Sequence, residues 1–348
     1  MLTAALRASA RPDRRYHALT VKRITRETAD AVSLAFDVPS QLRDRYRYEA
    51  GQFLTLRLRV DGAKHLRCYS MSSAPDEDAD LQVTVKRVPG GVVSNWLNDG
   101  VVEGDEIEAS VPSGDFVLRD SGRDLVAFAG GSGITPVFSL AKAALASTDR
   151  KVRVFYANRT QDSIIFRDAV DLLMERSGGR LDVRHHVDEL HGIVDDNEIA
   201  EFLGADVSAE FYVCGPAPFM DAVDQALRER EVPAARVHVE RFAPPDASED
   251  DEIGGAALHA EVTAVCGAKK VIARRRGSST LLQTARAAGL RVPSACEVGE
   301  CASCMARVVV GAAVMRRNTA LTPEEVAEGW VLTCTAEPTS PFVTVVYD

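Results

Sequence analysis

The chain has 348 residues, two to three times an ordinary domain, with 46% hydrophobic and 26% charged residues, so it should build two or three separate cores. No run approaches the ~18 apolar residues of a membrane helix, and the start, "MLTAALRASARPDRRYHALTV", has arginines but no apolar core of a signal peptide, which predicts a cytoplasmic protein that does not span a bilayer. Net charge is −10; residues 257–348 hold ten Lys/Arg against eight Asp/Glu, net +2, which leaves −12 for the first 256 and, with no basic stripe interleaved with aromatics, argues against nucleic acid.

From His17 to about Phe116, the short alternating runs "HALTVKRI", "AVSLAFDV", "QFLTLRLRV" and "LQVTVKRV" are broken by Gly, Pro, Asp and Ser clusters. They predict a small antiparallel barrel. Within it, "RCYS" sets Arg67, Tyr69 and Ser70 on one strand, a cation, an aromatic ring and a hydroxyl that could hold a phosphate and an isoalloxazine together. Alone the tetrapeptide is weak, because a strand tyrosine usually packs. Fifteen residues on, "VKRVPGGVVSNWL" strengthens it: Gly90 and Gly91 open a short helix whose N-terminal amides, with Ser94, can receive a pyrophosphate. Two phosphate-competent elements in one barrel point to a dinucleotide flavin.

After Gly122 the pattern becomes strand and helix in alternation. "DLVAFAG", "VRVFYAN", "LDVRHHV", "EFYVCG" and "RVHVE" read as strands, with helical stretches such as "PVFSLAKAALAS" and "APFMDAVDQALRER" between them, which predicts a parallel sheet covered by helices. "FAGGSGITP" puts Gly130, Gly131 and Gly133 at the first strand-to-helix turn, where they allow close backbone approach, but Pro136 replaces the third glycine of the dinucleotide fingerprint. "CGP" brings Cys214 and Gly215 to the same carboxyl edge, where ligands of open α/β sheets collect; the plain alternative is a buried structural cysteine. "YANRT" offers Arg159 and Thr160 where an acid often binds the 2′-hydroxyl of NAD, so the basic choice leans toward NADPH unless Arg159 only pairs with Asp162. His185 and His186 alternate across a strand, a structural pattern. "APPDASEDDEIGG", with two prolines, two glycines and five acids, reads as a linker.

Beyond it come a hairpin turning at Gly267, the helix "TLLQTARAAG", and "CEVGECASC". Seven cysteines is an odd number, and a reducing compartment disfavours disulfides, which turns a cluster toward metal or redox chemistry. Cys296, Cys301, Cys304 and Cys334 read C-x4-C-x2-C, then 29 residues, then C. Zinc sites usually pair cysteines in two short knuckles, whereas this spacing matches plant-type [2Fe–2S] ferredoxins. Gly299, Ala302 and Ser303 are small enough to let backbone N–H groups close around the cluster. Cys68 and Cys266 fall outside the pattern and read as small buried hydrophobes.

In this order, R-x-Y-S, G-G-x-x-S, G-G-S-G-I-T-P, C-G-P and C-x4-C-x2-C…C, the motifs resemble the ferredoxin–NADP⁺ reductase superfamily, in the branch of oxygenase reductases with a plant-type ferredoxin domain fused at the C-terminus. The resemblance covers about His17 to Asp348. It implies an N-terminal tail over 1–16, an antiparallel β-barrel FAD domain over 17–118, an α/β parallel-sheet NAD(P)H domain over 119–242, an acidic linker over 243–256, and an α+β (β-grasp) [2Fe–2S] ferredoxin domain over 257–348. By it, Arg67, Tyr69, Ser70, Gly91 and Ser94 bind FAD, and Gly130, Gly131, Gly133, Arg159 and Gly215 bind the nicotinamide dinucleotide. Thr135 and Cys214 would lie at the hydride-transfer site, and the four clustered cysteines would ligate iron. The loop "GGVVS" lacks the arginine of FMN-binding relatives, which favours FAD. The implied acceptor is a separate oxygenase component, a hydroxylase or an epoxidase. One departure is "VMRRNTAL", where relatives often carry an acid; Arg316 and Arg317 are expected to flank the cluster and steer an acidic face of the acceptor toward it. The alternative is a stand-alone flavin reductase or diaphorase whose C-terminal module holds a structural metal or recruits a partner.

Overall fold

The structure, a computed structural model, describes residues 15–204, 207–242 and 260–347. Most of the expected tail over 1–16 and the whole expected linker over 243–256 lie outside the described residues. The chain divides into two compact units, His17–Phe242 and a second made of Met1–Tyr16 with Ala243–Asp348.

The first unit contains two sheets. Strands β1 (Tyr16–Thr28), β2 (Ala31–Asp37), β3 (Phe53–Val60), β4 (Ala63–Ser70), β5 (Leu81–Lys86) and β6 (Glu106–Ser110) lie in the order β4-β3-β6-β1-β2-β5. Neighbours such as β1–β2, β2–β5 and β3–β4 are antiparallel. The two end strands meet where Met71, just past β4, bridges Val83 of β5, so the sheet curls into a barrel. Alternation puts Leu34 and Phe36, Leu54 and Leu56, and Val83 and Val85 into one apolar core. Helix α1 (Val92–Asp99) adds Val93 and Leu97 to it.

The second sheet, β7 (Leu125–Gly130), β8 (Val152–Asn158), β9 (Leu181–Val187), β10 (Glu210–Cys214) and β11 (Val237–Glu240), is parallel, in the order β11-β10-β7-β8-β9. Every residue of β7 and β10 is buried, as a strand covered on both faces requires. Leu125, Ala127 and Ala129 pack toward helices α2 (Ile134–Ser147) and α3 (Arg167–Arg176), while Val126 and Phe128 join the opposite core with α4 (Asp196–Leu203) and α5 (Ala217–Glu229). Strand order reverses beside β7, so the crevice for a ligand opens at the carboxyl ends of β7 and β10. Helix α2 is also fastened to the barrel: Ser139 Oγ donates to the Ser73 carbonyl at 2.6 Å and Lys142 Nζ to the Ser72 carbonyl at 2.8 Å. These bonds hold the crevice close to the end of β4.

In the second unit, β12 (Glu261–Cys266), β13 (Lys269–Arg274), β14 (Met305–Val310), β16 (Trp330–Leu332) and β18 (Phe342–Tyr347) form a mixed sheet in the order β13-β12-β18-β14-β16, and β15 (Ala313–Met315) pairs with β17 (Ala336–Pro338). Gly267, at φ +57°, allows the tight β12–β13 turn. Helix α6 (Leu281–Ala287) starts at a capping box, in which Gln283 N donates to Thr280 Oγ1 and Thr280 N to Gln283 Oε1 at 2.8 Å. Leu281 and Ala285 face the sheet, while Leu282 packs with Cys304 and Cys334. A mixed sheet holding one helix in this way is a β-grasp unit. The short α7 (Pro323–Ala327) precedes β16. Among the described residues no helix is long and apolar enough to cross a membrane.

Candidate functional site

At the end of β4, Arg67 is exposed, Tyr69 half-buried and Ser70 buried. Arg67 Nη1 donates to its neighbour's carbonyl, Leu66 O, at 2.7 Å. Burial pushes the Tyr69 phenol far above its ordinary pKa, with the nearby Arg67 opposing, so the ring is a neutral face. The Ser70 hydroxyl, in a residue only 3% exposed, has no hydrogen-bond partner. An orphaned buried hydroxyl is costly unless a ligand satisfies it. Nearby, α1 begins at Gly91 with no side-chain cap, leaving its first amides open. Ser94 Oγ accepts from Val88 N at 3.0 Å, and a Cβ on Gly91 would stand 2.7 Å from that oxygen. This donor set, a cation, a neutral ring, a spare hydroxyl and an open helix start, fits FAD.

The glycines of the first βα turn work differently from the expectation. A Cβ on Gly133 would stand 2.0 Å from the Cys214 carbonyl oxygen, and one on Gly130 would stand 2.6 Å from Pro216 Cδ. A Cβ on Gly215 would in turn stand 3.0 Å from Gly130 Cα. The room left by these three glycines is therefore taken by the facing "CGP" turn, which locks the two loops of the crevice together. Gly131, at φ +53°, is the exception, since its Cβ would meet only Lys86 Nζ, at 3.1 Å. Thr135 is buried and donates to Ser132 O at 3.0 Å, closing the first turn of α2. Cys214 is fully buried; desolvation first, and the Glu240 charge second, raise its thiol well above the usual range, so it is a neutral wall of the crevice and not a thiolate.

Three residues at this edge escaped the sequence reading. Lys86 ends β5 beside Gly131; burial, and then the charge of Arg159, lower its ammonium. Asn158 ends β8 only 4% exposed, and neither amide atom has a hydrogen-bond partner of good geometry. Glu240 ends β11 in register with Cys214. Arg159 is exposed and, among the described residues, pairs with no carboxylate, Asp162 included. Two cations and an orphaned buried amide at the carboxyl edge fit a phosphate-bearing dinucleotide. His186 is structural, as expected: Nδ1 meets Glu198 Oε1 at 3.1 Å and Nε2 meets Gly192 O at 2.9 Å.

The four cysteines gather as two pairs. Cys296 lies beside Cys301, whose sulfur accepts from Cys296 N at 3.4 Å. The hydrogen bond to Cys301, followed by burial, raises the Cys296 thiol. Cys334 is raised by its bond to Cys304, and Cys304 is lowered by the same bond. Among the described residues no three His, Cys, Asp or Glu side chains gather about one ion, and a two-by-two arrangement suits two irons taking two thiolates each. Backbone amides aim at the sulfurs: Glu300 N donates to Cys296 Sγ at 3.5 Å, and Gly299 N lies against Cys334. Glu297, Gly299 and Ala302 all have positive φ, which curls the loop inward. The residues fit a [2Fe–2S] cluster. The arginines expected to steer a partner are both engaged, Arg316 with Glu337 and Arg317 with Glu300 at 2.5 Å.

Comparison with known proteins gives the same three parts. The oxidoreductase FAD-binding domain matches residues 18–118, the oxidoreductase NAD-binding domain 128–225, and the 2Fe-2S iron-sulfur cluster binding domain 263–339. The ferredoxin reductase component of 3-ketosteroid-9-alpha-monooxygenase from Rhodococcus rhodochrous is 38% identical over 332 residues, 92% of this chain and 93% of that one. A component of the 1,2-phenylacetyl-CoA epoxidase from Escherichia coli K12 is 33% identical over 361 residues, 96% of this chain and 98% of that one. Among solved structures, phthalate dioxygenase reductase shares the fold with a TM-score of 0.60 at 24% identity, over 95% of this chain and 98% of that one. Aligned with such components over nearly their whole length, this chain belongs to the family of oxygenase reductases, which take electrons from NAD(P)H through FAD and a [2Fe–2S] cluster to a separate oxygenase component.

Proposed function

We propose that this chain is the NADPH-preferring reductase of a bacterial-type hydroxylase whose oxygenase component resembles those served by the ketosteroid reductases, and that the residues above carry that role. When bound, the two cofactors convert a two-electron hydride donor into a source of single electrons, and the protein supplies binding and orientation. Arg67 and the open first turn of α1, with Gly91 and Ser94, would hold the flavin's phosphates, and Tyr69 with the unpartnered Ser70 hydroxyl would bind its ring system. Gly130, Gly133 and Gly215 fix the crevice, and the buried Thr135 and Cys214 would form the neutral wall for the nicotinamide. Lys86, Asn158 and Arg159 hold the dinucleotide phosphates and ribose. Cys296 and Cys301 would hold one iron, Cys304 and Cys334 the other.

The observation that supports this reading best is the pairing of four cysteines in a unit distinct from one that holds both a flavin-competent strand end and a dinucleotide crevice. Metal and flavin analysis of the purified protein tests it: one FAD, two iron and two acid-labile sulfide per chain are expected, and zinc in place of iron would leave only the diaphorase alternative. Supplying NADPH, dioxygen, a ketosteroid and a ketosteroid hydroxylase component should then give hydroxylated steroid, while NADPH oxidation without product would reassign the acceptor.

A further inference from the structure

The loop between the first two iron ligands carries two glutamates, and each is held by an arginine. Glu297, 13% exposed, pairs with Arg286, which is 42% exposed. Glu300 is different. It is 6% exposed, stands next to ligand Cys301, and gives its amide to Cys296 Sγ. Its carboxylate lies 2.5 Å from Arg317 Nη2. Arg317 is fixed at the same place by its backbone: its carbonyl accepts from Thr335 Oγ1 at 2.7 Å, beside ligand Cys334, and lies 2.8 Å from where a Cβ on Gly299 would be. Thr319 N closes the stitch on Gly299 O at 3.1 Å. One ion pair thus touches both the loop of the first three ligands and the segment of the fourth.

From this placement we infer that the Glu300–Arg317 pair sets the reduction potential of the cluster. The inference rests on the reading of the four cysteines as ligands of a [2Fe–2S] cluster. Reduction adds one electron and no bond in the protein forms or breaks, so the cost depends on the charges fixed nearby. A buried carboxylate opposes the added electron, and Arg317, itself 45% exposed, offsets it from the solvent side. The two arginines are alike in exposure, 45% and 42%, and Glu297 with Arg286 acts more weakly because Glu297 is the less buried carboxylate, 13% exposed against 6%.

The test is an anaerobic potentiometric titration of the full chain loaded with FAD and cluster, followed by absorption beyond the flavin band and by electron paramagnetic resonance, with iron and sulfide counted for each variant. Arg317→Gln should lower the midpoint potential by a tenfold shift in the reduction equilibrium or more, about 59 mV for one electron. Glu300→Gln should raise it by a similar step, the double variant should return close to the parent, and Arg286→Gln should move it least. If Arg317→Gln fails to keep iron, Arg317→Lys, expected to hold the parent potential, and Glu300→Gln decide the matter. Unmoved potentials, or shifts of the same sign in Arg317→Gln and Glu300→Gln, would reduce the pair to a structural stitch and overturn the inference. Zinc in the parent protein would instead overturn the cluster reading itself.

Discussion

The Gly130–Gly133 turn and the Cys296–Cys304 loop are both tightly bent backbone, yet they are held by opposite means. The turn sits on the carboxyl edge of a buried parallel sheet, and its neighbours are other backbone atoms: the Cys214 carbonyl and Gly215 fill the space that side chains would need. The loop belongs to no strand or helix and is fixed from outside, by Leu282 packing on two ligands, by Thr319 and Thr335 hydrogen bonds, and by two ion pairs. A site fixed by topology tolerates almost no added atom. One fixed by side chains can be adjusted in charge while keeping its shape.

The largest effect expected is on the loop. Cys334→Ser removes one of the four cysteines proposed to hold iron, and delivery of electrons to the oxygenase should fall to background, while NAD(P)H-to-ferricyanide activity stays near that of the parent, because the dye can take electrons from the flavin. Loss of both activities with FAD still bound would mean that the two units do not act as separable relays. The turn should break by a different route. Gly133→Ala places a methyl group 2.0 Å from the Cys214 carbonyl oxygen, and at overpacking costs of about 3 kcal/mol should lower the denaturant midpoint of the first unit and, through the distorted crevice, slow hydride transfer. An unchanged midpoint would show that the facing "CGP" turn is free to move.

How far these sites could be read from the sequence follows from the same contrast. Periodicity located all five parallel strands, the buried β7 and β10 as runs of apolar residues and the half-buried β9 and β11 by their place in the strand–helix alternation, and spacing alone picked out the four cysteines proposed as iron ligands. The role of Gly130, Gly133 and Gly215 was read only in part. Their glycine identity was attributed to ligand approach, but the close contact is between two loops more than 80 residues apart in sequence, which no local pattern encodes. Lys86 went unnoticed for the same reason: in "LQVTVK" it reads as a solvated strand end, and only the fold sets it beside Gly131 and Arg159. Arg316 and Arg317 were read as free charges because their partners, Glu337 and Glu300, are visible only once β15 pairs with β17 and the cysteine loop closes.

A smaller effect sharpens the dinucleotide side of the comparison. Arg159 is exposed and pairs with no carboxylate among the described residues, so Arg159→Ser should leave stability unaltered within about 0.5 kcal/mol. Loss of one charged contact to a ribose phosphate should raise the KM for NADPH by about tenfold, equivalent to about 1.4 kcal/mol, and leave that for NADH in place. Equal changes for both nucleotides would remove Arg159 from the choice between them.

The smallest effect concerns Ser70, and there the sign carries the information. Its hydroxyl is buried without a partner, and an unsatisfied buried polar group costs about 1–3 kcal/mol. Ser70→Ala removes that cost from the flavin-free protein, which should therefore unfold at a slightly higher temperature than the parent, by an amount corresponding to about 1 kcal/mol. With FAD bound, the same change removes a hydrogen bond, so the variant should gain less stability from added flavin and bind it more weakly by roughly fivefold to tenfold. A residue that only packed would move both forms in one direction. Melting curves of the two proteins with and without FAD separate these cases: a gain in the flavin-free form that is cancelled when FAD is bound places the hydroxyl on the flavin, whereas destabilisation of both forms would make Ser70 part of the barrel wall and leave Arg67, Tyr69 and the first turn of α1 to hold the cofactor.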